Sequence, residues 1–308
     1  MATIINLFTQ NTVYLHFQHT FGRGNDRITQ ISPRNSDVST NHATIYWREK
    51  HWYLKDHSRN GTLVNRSFLH KNTVKLKPRD IIRFGNDPST EWQIVDLAPP
   101  QSYLRPLHTQ AGMILLDTYK ALPNGESPEV TFFYTTEKQW KLEKSGETYV
   151  LEHQQIVDFD GQQWLFVKNE WIDDTVDYGI IKMQAYFQFT ISTDQEKIAV
   201  KIITKDGAMD LGERSYNYLL LTLAQKRQKD AQVGLPLKDQ GWVEVGYLLD
   251  ELSKEELKEV TLYNFNVRVH RLKEHLFKLQ PYGKQFVDIL ERRKGEIRFN
   301  HSNAQFDW

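Results

Sequence analysis

From Val13 to about Asp96, apolar, β-branched and aromatic residues come in short runs separated by turn signals. The runs "ATIYW", "HWYL", "GTLV" and "DIIRFG" have the length and spacing of strands in an antiparallel sandwich. The segment "LAPPQS" breaks this pattern, because Pro99 and Pro100 cannot join a sheet interior. A first all-β domain is therefore expected over residues 1–97. A β-rich middle segment, 98–184, follows: "GMILLDTYKAL" opens it, and "EVTFFYT", "QWKLEK" and "QQWLFV" read as strands. "ATIYWREKHWYLKDHSRNG" shares apolar positions and a Trp-x-Leu with "EVTFFYTTEKQWKLEKSGE", a similarity that two chance hairpins explain as well as a repeat does.

The period changes in residues 185–308. After the strand "YFQFTIS", the stretch "ERSYNYLLLTLAQKRQ" places Tyr216, Leu219, Leu220 and Leu223 on one helical face. "GWVEVGYLLDELS" reads as a second helix. "NFNVRVHRLKEHLFKL" reads as a third, with Phe265, Val269, Leu272, Leu276 and Leu279 at three- and four-residue steps. "DILERRKGEIRF" reads as two strands around a Lys-Gly turn. Three helices and a hairpin outline a winged helix-turn-helix, so the expected whole is multidomain: β-sandwich, β-rich middle, then an α+β domain.

Composition changes this picture little. Hydrophobic residues make up 39% and charged residues 25% of 308, an ordinary balance for a folded chain. With no cysteine, disulfides and thiolate metal sites are excluded. The N-terminus lacks the pattern of a signal peptide and no apolar run suits a membrane span, so a cytoplasmic protein with no membrane partner is expected. Charge is more telling, because the net charge of zero is a sum of unlike parts. Residues 1–97 carry thirteen Lys or Arg against eight acids, residues 98–211 ten against seventeen, and residues 212–308 sixteen against fourteen.

Three polar loops of the first domain hold chemistry suited to an anion. One contains Gly22-Arg23-Gly24, one Ser39-Thr40-Asn41-His42, and one runs through "DHSRNGTLVN" (56–65). Arg23 offers a planar fork for phosphate oxygens, Ser39 and Thr40 offer hydroxyls, and Asn60 can bond a peptide backbone with both ends of its amide. Taken singly, Asn60-Gly61 is a plain turn and Arg23 a solvated charge. Taken in order, "FGRG", "STNH", "WYLKD", "SRNGT" and "VN" resemble the forkhead-associated (FHA) domain, over roughly residues 13–97. The resemblance implies an eleven-stranded β-sandwich that binds phosphothreonine peptides. It implies phosphate contacts from Arg23 and Ser39, a further contact at Thr40, peptide-backbone contacts from Arg59 and Asn60, and scaffold roles for Gly22, His42, Gly61 and Asn65. Where the family often has Arg or Asn at the Thr40 position, this chain has Thr, which removes a contact worth roughly 1.5–3 kcal/mol when charge-assisted.

The C-terminal hundred residues resemble the winged helix of OmpR-type bacterial response regulators, from the preceding strands through "MDLGERSYNYLLLTLA", "GWVEVGYLL", "NVRVHRLKEHL" and "ILERRKGEIRF". Winding the third helix at 3.6 residues per turn puts Val267, His270, Arg271, Glu274 and Lys278 opposite its apolar face, flanked by Arg268 and Lys273. Nine Lys or Arg against four acids fall between Leu262 and Asn300, but two against seven between Asp239 and Glu259. The resemblance implies a DNA surface of Arg268, His270, Arg271 and Lys278 on the helix and Arg292, Arg293 and Lys294 on the hairpin. It also implies that "SKEELKEVTL" can touch RNA polymerase. Glu274, Glu291 and Glu296 dilute that surface, and no receiver domain precedes it.

No P-loop, zincin or serine-hydrolase motif occurs. His16, His19, His51, His57 and His70 lack companions at ligand spacing, and Asp158, Asp160, Asp173 and Asp174 fall in ordinary turn sequences. The expectation is a non-enzyme with no cofactor and no metal. Its expected partners are a phosphothreonine protein, double-stranded DNA, RNA polymerase and a second copy of itself as a homodimer. The alternative is a signalling adaptor whose C-terminal module docks proteins.

Overall fold

The computed structural model describes residues 1–23, 36–108, 111–169, 178–193 and 197–307. The chain divides into two compact units: residues 1–104 with 113–115 and 167–172, and residues 105–112, 116–166 and 173–308. The segment 98–184, expected to stand between two domains, contributes most of its strands to the second unit.

The first unit contains β1 (Thr3–Asn6), β2 (Thr12–Tyr14), β3 (Gln18–Phe21), β4 (Ala43–Arg48), β5 (His51–Asp56), β6 (Thr62–Val64), β7 (Ser67–Leu69), β8 (Thr73–Lys75), β9 (Ile81–Arg83) and β10 (Glu91–Asp96). They form two sheets, ordered β2-β1-β10-β9-β6-β7 and β3-β4-β5-β8. Period-two alternation turns Ile4, Ile82, Trp92 and Ile94 of one sheet and Phe21, Ile45, Trp52 and Leu54 of the other into one buried cluster, which makes the unit a β-sandwich. Trp52 also donates its indole N–H to the Ala98 carbonyl at 3.0 Å. β4 and β5 join through Glu49 and Lys50, both left-handed (φ 49° and 61°), the two-residue turn that matches strand twist. β11 (Tyr103–Pro106) and β12 (Ile114–Leu115) pair with each other.

In the second unit, β13 (Tyr119–Leu122), β14 (Val130–Tyr134), β15 (Trp140–Lys144) and β16 (Glu147–Val150) form an antiparallel meander, and β17 (Ile156–Phe159) pairs with β18 (Gln162–Val167). The hairpin β14–β15 is the one whose sequence echoes β4–β5. Its connection runs from Thr135 to Gln139, closed by the Thr135 N–H to the Gln139 carbonyl at 2.9 Å, so the two turns differ.

Helix α1 (Tyr178–Gln184) leads into β19 (Tyr186–Ile191), β20 (Ile198–Thr204) and β21 (Gly207–Glu213). Next come α2 (Asn217–Gln232), β22 (Val243–Glu244), α3 (Val245–Glu255) and α4 (Leu262–Lys278), then the hairpin of β23 (Leu290–Arg293) and β24 (Glu296–Phe299), and finally β25 (Ala304–Asp307) parallel to β19. The apolar stripes expected on α2 and α4 are buried: Leu219, Leu220 and Leu223 on one, Phe265, Val269, Leu272 and Leu276 on the other. The second helix is shorter than its pattern implied. Val243 and Glu244 pair with Ile297 and Glu296 and so extend the hairpin to three strands. Thr261 caps α4 by accepting from the Asn264 N–H at 3.2 Å.

Among the described residues no helix is long and apolar enough to cross a membrane, and no three His, Asp or Glu side chains gather as a metal site.

Candidate functional site

Two connections of the sandwich meet at one rim: both ends of the segment between β3 and β4, and the turn between β5 and β6. The Arg23 N–H donates to the Ser39 carbonyl at 3.1 Å, and the Arg23 Nε donates to the Val38 carbonyl. The Arg59 N–H donates to the Ser39 Oγ at 3.1 Å, which leaves the Ser39 hydroxyl proton available as a donor. Asn60 Nδ2 donates to the Asp37 carbonyl at 2.8 Å. Arg23, Ser39 and Arg59 are thus joined by direct hydrogen bonds and Asn60 is tied to the same loop through Asp37, with Thr40, Arg59 and Asn60 exposed. Gly24 lies outside the described residues. Asn60 differs in one respect from expectation: one of its amide donors is committed within the chain.

Beneath this rim, His42 is fully buried. The Ser39 N–H donates to its Nδ1 at 3.1 Å, so the ring proton sits on Nε2, which donates to the Gly61 carbonyl at 3.2 Å. One neutral imidazole therefore bolts the serine loop to the asparagine turn. Burial holds its pKa below the ordinary histidine value, against the opposing pull of Asp56. Gly22 and Gly61 are required for different reasons. A Cβ on Gly22 would lie 1.9 Å from the Thr40 carbonyl oxygen. Gly61 has φ +82°, and its Cβ would meet the Phe68 ring at 2.3 Å. Asn65, itself left-handed (φ 50°), joins β6 to the β9 entry through Asp80 Oδ1 at 2.6 Å and the Ile81 N–H at 2.8 Å.

Sequence reasoning missed three supports. Asp56, buried, accepts from the Ser58 hydroxyl (2.8 Å), the Thr62 hydroxyl (2.7 Å) and the Lys71 N–H (2.9 Å). Burial pushes its carboxyl upward, but these donors outweigh it and hold the pKa below the usual carboxylate range. Ser58 in turn takes the Gly61 N–H at 2.7 Å. Asp37 carries Asn60 on its carbonyl and the Asn86 N–H on its carboxylate at 2.5 Å. The signal for Asp56 was present: an acid with Ser two and Thr six residues on, around a tight turn.

The second set of residues is placed differently from expectation. Arg271 is exposed on α4, and Lys294 is exposed at the hairpin tip. Lys278 is exposed and pairs with Glu274 at 2.6 Å. Arg293 pairs with Glu296 and lies 4.1 Å over the Trp242 ring. The rest do not face outward. Arg268 is held in a two-pronged pair by Glu256, whose carboxyl it keeps below the usual range. His270 is buried, with the Tyr119 hydroxyl 2.7 Å from its Nδ1. Lys273, 1% exposed, pairs with Glu143. Arg292, also buried, reaches the other Glu143 oxygen at 3.2 Å and Asn266 at 2.7 Å. Burial raises the Glu143 carboxyl, and Lys273 and Arg292 overcome this and hold it low. Two residues of the expected polar face of α4, His270 and Lys273, therefore face inward against β13–β15, while Arg271 and Lys278 stay exposed. Asp173 and Asp174 lie outside the described residues.

Residues 19–85 match the FHA domain family, so the chain carries an FHA domain at its N-terminus. Among solved structures, it is similar to an FHA domain from a structural and functional analysis of phosphothreonine-dependent FHA domain interactions. The identity there is 26%, over 31% of this chain and 95% of that one, with a TM-score of 0.27. It is also similar to the FhaA FHA domain complexed with the intracellular domain of Rv3910 (27% identity, 30% and 99% covered, TM-score 0.27). A third likeness is to Mycobacterium tuberculosis EmbR in complex with a low-affinity phosphopeptide (23% identity, 32% and 24% covered, TM-score 0.27). No curated protein shows significant similarity to the chain.

Proposed function

We propose that the chain is a phosphothreonine-dependent transcriptional regulator acting in the cytoplasm: its FHA domain reads a phosphothreonine protein, and its C-terminal unit acts on DNA as a winged helix. The observation that carries the reading is the convergence of Arg23, Ser39, Arg59 and Asn60 at one rim, locked from beneath by His42. A guanidinium beside hydroxyl and amide donors is the chemistry for a phosphate of about −1.5 to −2 charges on a peptide. The order of sheet, three helices and three-stranded hairpin sheet supports the DNA half, as do exposed Arg271, Lys278, Arg293 and Lys294. The α3–α4 connection exposes Leu257, and the first residue of α4, Leu262, is exposed beside it, which supports a polymerase contact there. A phosphothreonine on a second copy of the chain would make the same rim a homodimer contact.

The test has two arms. Titration with a phosphothreonine peptide and its unphosphorylated twin should show binding of the first alone, lost in Arg23→Ala; equal binding of the two peptides refutes phosphate readout. In the other arm, random duplex should be retarded by the full chain with a log–log salt slope of about −5 if six phosphates are met. Arg271→Ala with Lys294→Ala should weaken this. One observation favours a second reading, a non-enzymatic adaptor whose C-terminal unit docks proteins: His270, Lys273 and Arg292 are internal. A duplex arm that shows no binding under any condition selects it.

A further inference from the structure

Helix α4 buries residues of two different chemistries: an apolar stripe, and the polar pair His270 and Lys273. Phe265, Val269, Leu272 and Leu276 form the first, in the apolar core. Asn266, His270, Lys273 and Phe277, at steps of four, three and four, form a second stripe on the same helix. Each of the last three meets the β13–β16 meander. The Tyr119 hydroxyl meets His270, the Tyr119 ring lies 5.7 Å from that of Phe277, and Lys273 sits 4.6 Å over the Phe133 ring while pairing with Glu143. Asn266 instead holds Arg292 of β23, the other cation on Glu143.

The chemistry at the centre of this contact is an oxyanion gripped by one ammonium and one guanidinium, which is also how a winged helix would grip a DNA phosphate. Resting on the DNA reading above, we propose that Glu143 is an internal competitor for the DNA backbone. Its carboxylate occupies Lys273 and Arg292, and the β13–β16 meander covers α4 until both are displaced together. A contact built on ions suits a cover that must come off. Both partners regain hydration on opening, and an ion pair brought out of water gives little net stability compared with apolar residues of the same volume. Duplex DNA offers the two cations replacement anions at high local density, so opening and DNA binding are one coupled step.

The experiment uses the full chain and four forms: wild type, Glu143→Gln, Glu143→Lys and Glu152→Lys. The last places the same added charge at an exposed position of the unit and controls for simple basicity. Hydrogen exchange of the α4 amides and anisotropy with a random duplex are read together. Exchange should be at least tenfold faster in Glu143→Lys. Duplex affinity should rise at least tenfold in Glu143→Lys and several-fold in Glu143→Gln, with the salt slope steeper by about two as two more phosphates are met. Glu152→Lys should match wild type in exchange and affinity. Glu143→Gln keeps the side chain's shape, so it decides the matter if Glu143→Lys loses its cooperative unfolding transition. Three results overturn the proposal: α4 exchange unchanged in both Glu143 variants; duplex affinity already high in wild type and unmoved by them; or an equal gain in Glu152→Lys. In those cases binding that still weakens in Arg271→Ala with Lys294→Ala leaves the DNA reading intact. Faster α4 exchange with no duplex binding by any form instead refutes the DNA reading, and the competitor role with it.

Discussion

His42 shows how one residue ties stability to pH. Unfolded, a histidine takes up its proton near pH 6.5; in the fold, burial lowers the His42 value below that, against the opposing pull of Asp56 and the Gly61 carbonyl. The folded chain thus binds fewer protons than the unfolded one in that window. The His42 contribution is complete above pH 6.5 and is lost as pH falls from there toward the lowered value. His19, brought to about 3 by burial and by His16, adds a loss of the same sign. Urea titration of the N-terminal unit should therefore show declining stability from pH 7 to pH 5, with a shallower decline in His42→Gln. An unchanged decline in the variant would remove His42 from the account. The rim was legible in the sequence at Arg23, Ser39 and Asn60 because their side-chain chemistry is unusual in that order. Asp37 was not, because it holds Asn60 through its backbone carbonyl, which every residue has.

At the scale of elements, polar pairs set positions that apolar stripes leave open. Helix α1 is fixed by Lys182, whose ammonium meets both oxygens of Asp288 at 2.7 Å, each residue less than a tenth exposed. Removing one member of such a pair leaves the other charge buried alone, at a cost of about 3–5 kcal/mol. Asp288→Ala should lower the stability of the C-terminal unit by that amount, and Asp288→Ala with Lys182→Met should recover much of it. A double variant no more stable than the single one would show that the pair has no such role. The same physics explains the misjudged face of α4. In a hydropathy pattern His270, Lys273 and Arg292 look solvated, since sequence periodicity registers polarity but not whether a carboxylate from a distant strand neutralises it. The shortened second helix has a similar origin: "GWVE" carries no helix-breaking signal strong enough to reveal that Val243 is needed by Ile297 across a ladder.

For the molecule as a whole, the proposed regulation makes a quantitative demand. If a phosphothreonine peptide on the FHA domain changes DNA affinity by some factor, DNA must change peptide affinity by the same factor. Measuring each affinity with the other ligand saturating should give one shared factor different from one. Two factors of one would mean that the halves act independently, as in the adaptor reading. The grouping of the middle meander with the C-terminal unit bears on this demand, because it places the proposed DNA site and its cover within one compact unit.

The sequence by itself determined the elements and the chemistry at the sandwich rim. Strand period, turn residues and a helical apolar stripe are local properties, and a binding loop advertises itself by residue types that packing alone does not require. Tertiary structure alone decided which polar surfaces stay wet. Whether Lys273 faces solvent or Glu143 depends on an acid 130 positions away, and no local pattern records a partner brought in by the fold.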